Sequence, residues 1–80
     1  MEFKKCRKKP IIVEFREPKE EIKVKLSDIV DKDDYTMAEM IETLEGILYA
    51  VKGRDFVIRG VKGELYPIEK GIFKETYDIV

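Results

Sequence analysis

Eighty residues, 44% hydrophobic and 41% charged, are expected to form a single domain over 1–80: a chain this short buries only about 60 to 65% of its unfolded surface, which excludes two cores, and its apolar share excludes a disordered tail. The longest apolar run, Ile47-Leu48-Tyr49-Ala50-Val51, is too short to cross a bilayer, and the start Met1-Glu2-Phe3-Lys4-Lys5 has no apolar signal region behind it. A formal net charge of −1, from 16 basic and 17 acidic side chains, excludes any bulk attraction to nucleic acid or anionic lipid.

The single cysteine, Cys6, rules out an internal disulfide and points to a reducing compartment. Asn, Gln, His and Trp are absent while Lys and Glu abound, a bias associated with hot environments, so a thermophilic source is expected.

In chain order, Lys9 to Arg16 is β-branched and short, with Pro10 at its entry, and reads as a first strand. Strict alternation over Glu21 to Leu26 puts Ile22, Val24 and Leu26 on one face of a half-buried second strand. Ser27 to Asp34 is acidic and aperiodic, a loop with a helical turn around Ile29 and Val30. From Met37 to Leu44 two readings compete. Thr36-Met37-Ala38-Glu39 matches a capping box, and Met37, Met40, Ile41 and Leu44 recur at helical spacing before Gly46, which would serve as a left-handed stop. Beyond it, glycines punctuate short apolar segments at Ile47 to Val51, Phe56 to Ile58 and Leu65 to Ile68, the rhythm of a sheet meander. Gly60 and Gly63 flank Val61-Lys62 as in a hairpin needing positive φ at one residue. A helical turn over Ile72 to Glu75 and a last strand over Tyr77 to Val80 close the chain.

The C-terminal half carries a long pattern: Thr43-Leu44-Glu45-Gly46, Gly53-Arg54-Asp55-Phe56, Ile58-Arg59-Gly60-Val61-Lys62-Gly63-Glu64-Leu65-Tyr66-Pro67 and Ile72-Phe73-Lys74-Glu75-Thr76-Tyr77. With the opening Arg7 to Glu14, it resembles a family of small uncharacterised proteins encoded by tailed bacteriophages and prophages, over roughly half the chain. Arg54 departs from the family by standing between glycine and aspartate, Ile68 stands where a cysteine is common, and Phe15 to Met40 matches nothing. The resemblance implies that Ile41 to Leu44 is a strand end turning into the next strand, and it implies a location in the host cytoplasm or the virion. It implies no activity.

Several groups are candidates for chemistry. Lys4, Lys5, Arg7, Lys8 and Lys9 form a basic arm able to neutralise phosphates, or to keep the edge of the first strand from aggregating. Asp31, Asp33 and Glu42 fall at calcium-loop spacing, but Thr36 stands where the tight turn needs glycine, so no metal is expected. Cys6 sits between cations that favour a thiolate, yet with no histidine in the chain it has no imidazole base. Gly53, Gly60 and Gly63 match no phosphate-cradling spacing. Phe56, Tyr66, Phe73 and Tyr77 would stack on bases if exposed on one face; core filling is the default. For a recognition surface, Arg59, Lys62, Glu64 and Tyr66 stand out, polar side chains beside tight turns.

The expected fold is α+β and predominantly β, a small antiparallel sheet or partly open barrel of five or six strands with one or two short helices. The expected function is that of a non-enzymatic phage or prophage accessory protein that binds a protein partner or itself. A self-assembling virion component and a weak nucleic-acid binder using the basic arm are the alternatives. No cofactor, no membrane and no small-molecule substrate are expected.

Overall fold

The computed structural model describes residues 2–25 and 35–80. The described residues form six strands and one helix: β1 (Glu14–Arg16), β2 (Ile22–Lys25), β3 (Tyr35–Thr43), β4 (Gly46–Val51), β5 (Asp55–Arg59), β6 (Leu65–Glu69) and α1 (Lys70–Thr76). They build two three-stranded antiparallel sheets, in the orders β1-β5-β6 and β2-β3-β4. The predominantly β expectation holds, with the strands divided between two sheets and not closed into a barrel. The acidic loop expected over 27–34 lies outside the described residues.

Alternation along the strands sorts the layers. Phe15, Ile58 and Tyr66 stand opposite one another across the first sheet, with Phe56 and Ile68 on the same face. Phe73 of α1 covers that face, its ring centroid 4.7 Å from that of Phe15 and 4.9 Å from that of Phe56. The opposite face packs on the second sheet, where Val57 and Leu65 meet Ile41 and Ala50. β5 lies in the middle strand position with a layer on each side. Its neighbours Val57 and Ile58, which point to opposite faces, are therefore both buried, at 1% and 0% exposure. Each such side chain contributes roughly 1.5–3 kcal/mol of burial.

The first strand is shorter than the sequence implies. Its partner β5 ends at Arg59, opposite Glu14, so nothing remains for residues 10–13 to pair with, and the Ile11 N–H turns back to the Lys9 carbonyl at 2.8 Å. Met37 to Leu44 is not a helix. Two neighbouring strands claim it, β2 along one edge and β4 along the other, and this tertiary pairing overrides the local capping signal. The Thr36 hydroxyl donates to the Lys52 carbonyl, and Glu39 pairs with Arg16 instead of reaching back to a helix start.

The strand implied for Ile41 to Leu44 therefore extends backward to Tyr35, and Leu44 sits in the turn. Gly46 ends no helix; its φ of 111° closes the β3–β4 hairpin, where the Thr43 hydroxyl accepts from the Glu45 N–H and donates to the Gly46 carbonyl. At the next hairpin Gly63 donates to the Gly60 carbonyl and takes φ 82°, while Gly60 N–H reaches the Glu64 carbonyl. This is a turn followed by a glycine bulge, as the spacing of the two glycines implies. The helical turn of Ile72 to Glu75 is a helix of seven residues, Lys70–Thr76. The strand expected over Tyr77 to Val80 is absent: Tyr77 is extended but pairs with no strand, and Ile79 and Val80 are exposed.

Candidate interaction surface

The structure does not bring Arg59, Lys62, Glu64 and Tyr66 together. Arg59 projects to the side of Val57 and is spoken for by Glu14, at 3.1 Å from Nε and 2.5 Å from Nη2. Tyr66 projects to the helix side of the same sheet. Burial, reinforced by the hydrogen bond to Tyr77, pushes its phenol up to about 12. The Tyr77 phenol is lowered, because its oxygen accepts from Tyr66 and from Lys8 Nζ, the latter at 3.3 Å. Glu64 folds over Gly60 into the space a β-carbon there would need, and Lys62 is exposed at the turn tip.

The basic arm has no regular secondary structure. Lys8 lies over the Tyr77 ring at 4.8 Å from its centroid, and Lys4, Lys5, Arg7 and Lys9 are exposed. Phe15, Phe56, Phe73 and Tyr77 form one ring cluster in which only Phe73 is buried; Phe56, Tyr66 and Tyr77 are half-buried, and Phe3, Phe15, Tyr35 and Tyr49 are exposed, so core filling accounts for part of the aromatics only.

Two buried carboxylates hold structure together. Glu39 on β3 accepts from the two terminal guanidinium nitrogens of Arg16 on β1, at 2.6 and 2.8 Å, and from the Lys19 N–H at 2.9 Å, so it ties one sheet to the other. The Arg16 hydrogen bond outweighs desolvation and holds the Glu39 carboxyl below the usual carboxylate range. Asp55 accepts from the Val51 N–H at 2.8 Å and from Arg54, pinning the passage from β4 to β5. A hollow of about 310 Å³ beside β1 is lined by Arg16 and Arg59, but each faces its own carboxylate, so no unpartnered pair of guanidinium groups converges there. A groove of about 700 Å³ runs between the segment before β1 and the C-terminal tail.

The distinctive surface is the far half of the β3–β4 hairpin. Met40 and Tyr49 stand opposite each other on the face turned away from the first sheet, next to Ile47. All three are exposed, as is Leu48 on the other face, and Leu44 at the tip is fully so. Toward β2 the exposure ends: Ile22 and Val24 on the same side are half-buried, and Ala38 and Val51 are buried. β4 itself, Gly46-Ile47-Leu48-Tyr49-Ala50-Val51, carries no ionisable group except the Tyr49 phenol. Such a surface buries against another apolar surface, with Glu42, opposite Ile47, as the one exposed carboxylate on its outer face.

The sequence contained the signal, an apolar run without a charge, but only the topology reveals that this run is an edge strand and not a core strand. No helix among the described residues is long and apolar enough to cross a membrane. Comparison with family models, with curated proteins and with solved structures finds no match to this chain, so the functional reading rests on the chemistry of its own surface.

Proposed function

We propose that this domain is a non-enzymatic accessory protein of phage or prophage type that works by binding a protein chain through the projecting β3–β4 hairpin. The observation that carries this reading is the contiguous exposure of Met40, Ile47 and Tyr49 on the outer face of one hairpin, with Leu44 at its tip. Exposed apolar side chains scattered singly need no explanation, whereas a continuous group marks an interaction site. The buried carboxylates support the non-enzymatic part. Glu39 and Asp55 are each engaged by an arginine and a backbone N–H, an arrangement that fixes structure and leaves neither poised to move a proton.

A photo-crosslinking residue placed at Leu44 tests the reading in the cells that natively make the protein. The expected result is a covalent adduct with a protein chain, lost when Tyr49→Lys is added and absent when the probe replaces Lys62 instead. No adduct, or one indifferent to Tyr49→Lys, overturns the hairpin as the binding surface.

A further inference from the structure

The edges of the two sheets are not treated alike. Edge strand β1 is three residues long and carries Glu14 and Arg16, β2 carries Lys23 and Lys25, and β6 carries Pro67 and Glu69. Charge, proline and shortness are the devices that stop sheets from growing edge to edge. β4 has none of them: it is six residues long, paired with β3 in unbroken register, and free of charge and proline.

The backbone of that edge can be assigned. In an antiparallel ladder, each residue directs its N–H and C=O to the same side, alternating along the strand. Lys52 N–H bonds the Met37 carbonyl on β3, whereas Val51 N–H turns away from β3 to the Asp55 carboxylate. Odd-numbered residues of β4 therefore face outward. Val51 is capped by Asp55 and Arg54, and among the described residues no strand pairs with the outward backbone groups of Ile47 and Tyr49.

Those two positions complement each other. A two-fold axis through Leu48 sets Ile47 of one copy opposite Tyr49 of the other, and the reverse, so all four outward-facing residues fall at hydrogen-bonded positions. The same register joins a β-branched side chain to an aromatic one on the outer face, a favourable cross-strand pair. Such a contact closes on itself after two copies. A formal net charge of −1 gives two copies little reason to repel.

We infer that the occupant of the β4 edge is a second copy of this chain, paired antiparallel about Leu48 into a continuous six-stranded sheet. This rests on the reading of the hairpin as the binding surface and names its partner. Light scattering coupled to size exclusion, over a wide range of concentration, should give twice the 9.4 kDa of the chain. Ile47→Lys and Tyr49→Lys should each return the mass to that of one chain with an unchanged circular dichroism spectrum, while Val61→Lys, at an exposed turn, should leave the dimer intact. In the dimer the amide hydrogens of Ile47 and Tyr49 should be protected from exchange, and in the lysine variants those that remain should exchange freely.

A monomer at every concentration, a dimer that survives both lysine variants, or a dimer without protection at Ile47 and Tyr49 overturns the inference. If the protein is monomeric yet the Leu44 probe still yields a Tyr49-dependent adduct with a different chain, the second copy is wrong and the binding hairpin stands. If there is neither dimer nor adduct, both fall.

Discussion

Phe73→Ala should cost the domain about 3–5 kcal/mol, against a total stability that for a chain of this size is about 4–12 kcal/mol. Phe73 is 3% exposed and is the ring through which α1 holds the first sheet; it touches Phe15, Phe56 and Tyr77 at once. Removing it leaves a cavity walled by rings from β1 and β5, which short strands fixed by ladder bonds cannot close by collapsing. At roughly 4–8 °C per kcal/mol for a domain this small, the thermal midpoint should fall by roughly 12–40 °C. Thermal unfolding followed by circular dichroism reads this directly, with Leu44→Ala, at a fully exposed tip, as the companion that should barely move. Similar losses for the two variants would mean that α1 is not seated on the sheet.

Arg16→Ala should be the second most damaging single change, for an electrostatic reason. The Glu39 carboxylate keeps 6% side-chain exposure, so without Arg16 it is a buried charge answered only by the Lys19 N–H. Breaking a fully buried pair costs about 3–5 kcal/mol. The Arg16 side chain is 39% exposed, so solvent screening brings the expected loss to about 2–3 kcal/mol. Glu39→Gln should cost less, because a neutral amide still accepts from Lys19 and Arg16 turns to water. The double change Arg16→Ala with Glu39→Gln should cost less than the sum of the two single losses, because the amide relieves the buried charge that Arg16→Ala leaves. Urea unfolding of the four proteins gives the cycle, and additive losses would show that the two sheets are not coupled through this pair.

The pair also sets an acid limit. The folded Glu39 carboxyl titrates below its ordinary 4.5, chiefly because Arg16 hydrogen-bonds its charged form. Its stabilising contribution is therefore complete above about pH 4.5 and is lost as the pH falls through the lowered value. Wild type should lose stability on that acid limb, and Glu39→Gln should show a shallower one.

How far these residues were readable in the sequence follows from what each depends on. Gly60 and Gly63 announced their hairpin because a tight turn is specified by the residues within it. Glu39 satisfies the local grammar of a helix start and so leaves two readings open, because its actual partner, Arg16, lies on another strand and another sheet. Tyr66 and Arg59 looked like neighbours in a cluster, yet alternation across a pleated sheet sends them to opposite faces. The β4 edge was the least legible of all, since an apolar strand at the centre of a sheet and one at its margin have the same composition.

The brevity of β1 decides the order in which this domain comes apart. β3 through β6 follow one another through tight turns, so their contacts are local and close quickly, whereas β1 must reach Arg59 from Glu14, 45 residues away, to gain three rungs of ladder. The N-terminal strand is the seam that opens first, a sub-global unfolding in which Phe15 leaves the ring cluster and Arg16 leaves Glu39 while the meander persists. Native-state hydrogen exchange under mild urea should find the β1–β5 amides opening at lower free energy than those of β5–β6. A single common opening energy for both would show that the molecule unfolds as one piece.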